Sequence, residues 1–134
     1  MTAGGSEQQL EIEVLGPSRV ALEEIERLVA LALASAGIAS GHVAVEFVSA
    51  ERITELNAAH RRKDAPTDVL SFPVDGPGPA TGPRELGDVV VCAARSHDPV
   101  EVVVHGVLHL CGMDHEADSG EMLVLQDRVM AELG

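Results

Sequence analysis

The sequence predicts a single small domain of α/β (α+β) class, with about four short strands and about four helices in one layered structure. Segments in which apolar and polar residues alternate, as in half-buried strands, are interleaved with segments whose apolar residues recur at helical spacing. A chain of 134 residues can bury roughly two-thirds of its unfolded surface around one core. We therefore expect one domain over residues 1–134.

The amino-terminal half is predicted to form strand, helix, strand and helix in that order. Apolar residues alternate with glutamates over 10–14, which predicts the first strand. Helical spacing predicts a helix from 18 to about 36, and alternation returns over 43–47 for a second strand. Ser49 is expected to cap a second helix that ends before Pro66.

The carboxy-terminal half is predicted to hold two more strands and two more helices. Apolar runs predict a buried strand at 69–72 and another strand at 89–92, with a proline- and glycine-rich surface loop at 74–83 between them. Asp98 and Pro99 suit the N-cap and first turn of a third helix. Asp118 and Glu121 resemble a capping pair for a last helix, whose predicted inward residues are Met122, Leu125, Val129 and Leu133.

The charge balance excludes broad electrostatic binding to nucleic acid or to an anionic membrane. Nine basic residues face 22 acidic ones, for a formal net charge of −13. Arg61, Arg62 and Lys63 are nevertheless consecutive, so a polyanion would have to be met locally at this short basic patch.

The sequence has features of a soluble, cytoplasmic protein. Its amino terminus lacks the basic-then-apolar pattern of a signal peptide, and its longest apolar run, 28–39, is too short to span a bilayer. Cys92 and Cys111 provide no disulfide framework and are expected to be buried free thiols in a reducing compartment.

The stretch HGVLHLCGMDH, residues 105–115, predicts a metal site. His105 and His109 are four residues apart and share one helix face. Gly112 accepts the positive φ that lets the chain reverse and bring His115 back to the same point. Three imidazoles favour a first-row metal, with one zinc ion per chain expected, and they leave a fourth position open for water. An open position indicates a catalytic site.

The same stretch departs from the metzincin signature at one position. In that signature a glutamate follows the first histidine and acts as the general base of a peptidase, whereas this chain has Gly106. A zinc site of this spacing without the glutamate predicts a poor peptidase. Cys111 follows His109 by two residues, points elsewhere on a helix and is expected to pack in the core.

Three segments together resemble the endoribonuclease YbeY family. They are LNAAHRRKDAPTDVLSF (56–72), LGDVVVC (86–92) and VHGVLHLCGMDH (104–115). The resemblance implies a small mixed sheet flanked by helices, with a zinc site at the carboxy-terminal end of a helix. It also implies zinc-dependent cleavage of single-stranded RNA in 16S rRNA 3′-end maturation and ribosome quality control. His105, His109 and His115 match the family's metal ligands, and Arg61 matches its phosphate-binding arginine.

The chain also differs from the family's usual pattern. His60 replaces a tyrosine and Met113 an aromatic residue, so fewer aromatic rings are available to stack on bases. Cys92 and His105 are separated by twelve residues, fewer than is usual in the family, which predicts a tight connection between strand and helix.

Residues and resemblance together predict metal-assisted phosphodiester hydrolysis. Zinc would lower the pKa of its water towards about 7, which removes the need for a dedicated base. Arg61 would stabilise the charge that develops on phosphorus-bound oxygens, with further substrate contacts from Arg62, Lys63 and His60. Asp114 is expected to accept a hydrogen bond from a liganding imidazole. The implied partner is single-stranded rRNA of the 30S subunit, and the sequence leaves open whether a ribosomal protein or an assembly GTPase positions it.

Two other functions remain open at this point. A metal-dependent peptidase or amidohydrolase would need a base from another segment, for which Glu85, Asp88 and Glu121 are candidates. A non-catalytic ribosome-assembly module, in which zinc holds the fold, would explain the acidic charge and the short connection.

Overall fold

The computed structural model describes residues 10–18, 20–61, 67–75, 84–95, 98–113 and 117–133, with the backbone alone at Arg61 and Arg95. The described residues form four strands, four α-helices and one short 3₁₀ turn. The strands are β1 (Leu10–Leu15), β2 (Gly41–Phe47), β3 (Val69–Pro73) and β4 (Glu85–Val91). The helices are α1 (Leu22–Ser35), α2 (Ala50–Arg61), α3 (Pro99–Leu110) and α4 (Glu121–Leu133), and the 3₁₀ turn is Ala93–Arg95.

The four strands form one mixed sheet in the order β1-β2-β4-β3. β1 pairs parallel to β2 and β2 parallel to β4, whereas β3 runs antiparallel to β4 at the sheet edge. The predicted α/β class, with four strands and four helices, is confirmed. No helix of the described ranges is both long and apolar enough to cross a membrane.

Helices cover the two faces of the sheet unequally. The main core lies between one face and α1, α3 and α4, and it is aliphatic apart from Phe47, Cys111 and sulfur-bearing Met122. The other face, which we call the outer face, carries a smaller cluster of Ile53, Leu70, Val90 and Cys92 under α2. From Asp88 to Val91 the side chains of β4 alternate between the two faces, as the pleat of a strand requires, whereas Leu86 also lies in the main core because the register with β2 shifts beside it. Both cysteines are buried and neither forms a disulfide, as predicted.

The predicted helix starts are confirmed for α2 and α3. Ser49 Oγ accepts a hydrogen bond from the Arg52 amide at 3.1 Å. Asp98 is the N-cap of α3, and its Oδ1 accepts from the amides of Val100 and Glu101 at 3.1 and 3.4 Å. This cap fixes the first turn of the helix that carries the histidines, and the described part of the connection from β4 includes the 3₁₀ turn Ala93–Arg95.

The start of α4 differs in detail from the predicted capping pair. Asp118 accepts from the amides of Gly120 and Met122 at 2.8 and 3.0 Å, whereas Glu121 accepts from the Ser119 amide at 2.7 Å. The two carboxylates therefore cap the turn together, although they do not bond each other's backbone. Met122 and Val129 are buried as predicted, and Leu125 and Leu133 are partly buried.

Two boundaries and the burial of one strand differ from prediction. α1 begins at Leu22, because Ser18 Oγ accepts from the Val20 amide at 3.0 Å and holds a local turn. β4 begins at Glu85, because pairing on both sides overrides the poor strand propensity of Gly87 and Asp88. The predicted strand at 69–72 is confirmed as β3, but it lies at the sheet edge and only its Leu70 is fully buried. Its apolar residues contact α3 on one face and the outer cluster on the other. Residues 76–83 of the predicted loop lie outside the described residues.

Candidate metal centre

Helix α3 presents His105 and His109 on the side that faces α4. Its opposite side is buried through residues such as Val103, Val107 and Leu110, which lie in the main core. Both histidines are half-buried. The spacing of four residues thus places two imidazoles one above the other at the border between core and solvent, as the sequence predicts.

The two imidazoles converge through their Nε2 atoms. His105 Nε2 and His109 Nε2 are 3.2 Å apart, and the rings meet nearly edge to face with centroids 4.7 Å apart. Imidazole nitrogens lie about 2.0–2.1 Å from zinc, so two ligands of one tetrahedral ion are roughly 3.3 Å apart. The observed separation therefore fits two ligands of one ion.

The other ring nitrogen of each histidine faces an oxygen. His109 Nδ1 lies 3.0 Å from the main-chain oxygen of Met113, and His105 Nδ1 lies 2.7 Å from Gln126 Oε1. A carbonyl oxygen can only accept, so it holds the proton of a neutral ring on Nδ1 and leaves a lone pair on Nε2. Two lone pairs that point at each other suit a cation between them. The donor set at this end of α3 thus fits a zinc ion.

Gly112 produces the turn that supplies one of these oxygens. Its φ is 90°, as predicted for this position, and its amide bonds back to the His109 carbonyl at 3.0 Å. The chain then folds over the end of α3, and the Met113 amide bonds to the Leu108 carbonyl at 3.2 Å. This reversal is what brings the Met113 oxygen to the His109 ring.

The third predicted ligand, His115, and the predicted hydrogen-bond acceptor Asp114 lie outside the described residues. Within the described ranges, no cluster of three or more His, Cys, Asp or Glu side chains is assembled. The assignment of His115 to the site stays a prediction.

Gly106, where a metzincin has its general base, faces the sheet and not the histidine pair. A Cβ built at this position would lie 2.6 Å from Val89 Cγ1 and 3.2 Å from Val69 Cγ2. Ser71 Oγ also donates to the Gly106 carbonyl at 3.0 Å, which ties α3 to β3 at this point. The close contact between helix and sheet accounts for the glycine, and a glutamate would have no space here.

A pocket of about 200 Å³ adjoins His105. Asp68 and Glu101 contribute carboxylates to it, and Gln126 contributes an amide. Its remaining described lining is apolar and comes from Val69 and Val102. The pocket therefore offers hydrogen-bond acceptors beside the histidine pair.

The predicted phosphate-binding and substrate residues are only partly described. Arg61 is the last residue of α2, and its side chain, like Arg62 and Lys63, lies outside the described part. His60 packs against Phe72 with ring centroids 4.5 Å apart and an interplanar angle of 62°. Phe72 lies by the outer cluster, so the described contacts of His60 are not with the histidine pair.

The three carboxylates considered as a peptidase base do not line the pocket beside His105. Glu85 lies 2.8 Å from His42 Nδ1, and Glu121 caps α4. Asp88 lines a separate pocket on the outer face.

Burial raises the pKa of the Cys111 thiol to about 11, and this side chain packs in the main core as predicted.

Gln126 is the residue of this site that the sequence reasoning missed. It is only 8% exposed, although it is polar, and it lies between Met122 and Val129 on the inward stripe of α4. A polar residue at helical spacing within an apolar stripe was the available signal. Its partner, His105, is 21 residues away and cannot be inferred from local spacing.

Comparison with known proteins identifies relatives that match most of the chain. The family model described as Endoribonuclease YbeY matches residues 7–134. An Endoribonuclease YbeY of Rubrobacter xylanophilus is 41% identical over 124 residues, covering 88% of this chain and 89% of that protein. Another, from Macrococcus caseolyticus, is 37% identical and covers 84% and 86%. The solution structure of TM1509 from Thermotoga maritima matches with a TM-score of 0.58 and 32% identity, over 91% of this chain and 88% of that one.

Proposed function

Because the chain belongs to the endoribonuclease YbeY family, we propose that it is a zinc-dependent endoribonuclease that cleaves single-stranded RNA in the cytoplasm. The observation that carries the metal dependence is the pair of Nε2 atoms 3.2 Å apart at the end of α3. We further propose that its substrate is rRNA of the 30S subunit and that it acts in 16S rRNA 3′-end maturation and ribosome quality control.

His105 and His109, with His115 as the proposed third ligand, would hold the ion. When bound, zinc would supply a water of lowered pKa as the nucleophile. The main-chain oxygen of Met113 keeps the proton of the His109 ring on Nδ1, so this ligand is oriented by the backbone itself. Gly106 leaves no side chain between α3 and the sheet, and the chemistry therefore proceeds without a carboxylate base at that position.

Arg61 is the residue proposed to bind the scissile phosphate. Its guanidinium is permanently charged and planar, which suits the equatorial oxygens of the transition state. The chain that leaves α2 at Arg61 reaches the pocket beside His105 at Asp68, seven residues later. Arg62 and Lys63 lie on this short connection and are proposed as weaker substrate contacts. The carboxylates of Asp68 and Glu101 can accept hydrogen bonds from ribose or base groups.

The negative charge of the outer face makes that face unfavourable for RNA binding. Glu11, Glu13, Glu46 and Asp88 are exposed on the strands of that face, and the chain carries a formal net charge of −13. Such a surface repels phosphate over a Debye length of about 8 Å at physiological salt. RNA is therefore expected to reach the histidine pair and Arg61 without lying across the strands of the outer face. A ribosomal protein or an assembly GTPase would be a further partner that positions the rRNA.

A cleavage assay separates this proposal from the alternatives. The purified protein is incubated with single-stranded RNA, double-stranded RNA and casein, with and without a chelator and with zinc added back. We expect cleavage of single-stranded RNA alone, lost with the chelator and restored by zinc. Cleavage of casein would favour the peptidase. A zinc-binding protein that cuts neither polymer would favour the assembly module.

Two matched variants test the role of Arg61. Arg61→Ala is expected to keep the metal and the fold and to lose most RNA cleavage, whereas Arg62→Ala should lose less. Equal losses would reduce the proposal to a diffuse basic patch.

Mass spectrometry of the fragment ends tests the nucleophile: water attack leaves a 5′-phosphate and a 3′-hydroxyl. A 2′,3′-cyclic phosphate would instead implicate the ribose 2′-hydroxyl and overturn the water mechanism, though not the nuclease assignment.

A further inference from the structure

Gln126 is a buried amide that joins α4 to the histidine pair. It is 8% exposed, and its neighbours along the inward stripe of α4, Met122 and Val129, are fully buried. A buried amide is tolerated only when it is hydrogen-bonded. Its Oε1 lies 2.7 Å from His105 Nδ1, a hydrogen-bond distance that links α4 to α3.

The two histidines obtain their Nδ1 partners from different sources. At His109 the partner is the main-chain oxygen of Met113, which cannot donate, so the fold itself sets the tautomer of that ring. At His105 the partner is a side chain. An amide can present either its oxygen or its NH₂ group to a ring nitrogen, and only the oxygen leaves the His105 Nε2 lone pair available for a metal.

We propose that Gln126 is a positioning residue that holds His105 as its Nδ1–H tautomer, so that His105 Nε2 joins His109 Nε2 as a ligand for zinc. The inference rests on the metal site of the proposed function. It gives a residue of α4 a role in that site, although the sequence motif of the site lies at α3. The site requires a hydrogen-bond acceptor at position 126, because a group that only accepts keeps the proton of His105 on Nδ1.

Three variants test this requirement. Gln126→Met keeps a similar volume and removes the acceptor, Gln126→Glu keeps an acceptor, and Asp127→Asn changes the exposed neighbour on the same helix as a control. Zinc affinity is measured by competition with a chromogenic chelator. Proton–nitrogen NMR of the zinc-loaded protein measures whether the His105 Nδ1 proton is protected from exchange with water. Circular dichroism and urea unfolding verify the fold of each variant.

Gln126→Met is expected to bind zinc about 10–100-fold more weakly than the wild type and to lose the protected Nδ1 proton. Gln126→Glu should bind as tightly as the wild type or more tightly and keep that proton, and Asp127→Asn should match the wild type.

Equal zinc affinity in the wild type and Gln126→Met would overturn the role of Gln126 and leave the metal site standing. Weak binding by a folded Gln126→Glu would also overturn it, because an acceptor alone would then not suffice. If Gln126→Met does not fold, the NMR spectrum of the wild type decides, since a His105 proton on Nε2 overturns the inference. A wild type that binds no zinc would end both this inference and the metal site.

Discussion

Substitution of Gly106 by alanine tests whether close packing, and not a missing catalytic group, explains the glycine after His105. The added methyl would lie 2.6 Å from Val89 Cγ1 and 3.3 Å from Ser71 Oγ. Val89 is fully buried in β4, so its side chain has little room to move. Either α3 must shift away from the sheet or Val89 must leave its rotamer.

Two opposing effects set the size of the change in unfolding free energy in Gly106→Ala. Overpacking of a well-packed core costs about 1–3 kcal/mol. Replacement of glycine by alanine inside a helix gains roughly 1 kcal/mol of propensity. The free energy of unfolding should therefore fall by about 1 kcal/mol in Gly106→Ala. A shift of α3 would also displace the histidine pair and weaken zinc binding.

Urea unfolding measures the change, and two further variants separate its parts. Ala131→Gly, at an exposed position of α4, reports the propensity difference alone. In a Val89→Ala background, which removes the contacting methyl groups, Gly106→Ala should become stabilising, and the double-mutant cycle gives the coupling between the two sites. Close packing does not explain the glycine if Gly106→Ala stabilises the wild type by as much as Ala131→Gly destabilises it.

Three other predictions concern pH, metal and capping. The hydrogen bond to Glu85 raises the pKa of His42 above 6.5. His42→Gln should therefore reduce the free energy of unfolding by about 0.2–1 kcal/mol below pH 6.5, and by less as pH rises through the raised pKa. A loss of stability that urea titrations show to be independent of pH contradicts this prediction. Zinc at a hundredfold excess over Kd should add about 2.7 kcal/mol to the unfolding free energy of the wild type and far less to His109→Ala; equal gains contradict the ligand assignment. Asp98→Ala should cost about 1 kcal/mol and weaken zinc binding, whereas Ser49→Ala should cost a similar amount and leave zinc affinity unchanged.

Local patterns sufficed to predict most of the fold. Asp98 and Pro99 predicted the start of α3, and the cap is formed as expected because an N-cap depends only on the next three residues. The spacing of His105 and His109 predicted their convergence, since four residues make about one helical turn. Ser18 misled the prediction for α1 because a side chain that can cap a helix can also hold a turn before it.

Long-range relationships could not be predicted from local spacing. The position of β4 between β2 and β3 depends on pairing across the sheet, so an apolar run such as 69–72 predicted a buried strand where an edge strand is found. Helices on both sides of β3 produce the same apolar pattern as burial inside a sheet. The contact between His105 and Gln126 likewise depends on how α3 packs on α4.

The packing of α3 explains the glycine at position 106 differently from the sequence motif. From the motif alone, Gly106 marks the loss of a general base from a peptidase-like site. In the structure, residue 106 points at Val89 in the sheet while the neighbouring His105 points at α4. A side chain at 106 could reach the histidine pair only if α3 rotated and exposed its buried residues. The fold therefore excludes a base at this position, and a nucleophile for RNA cleavage must be generated without one.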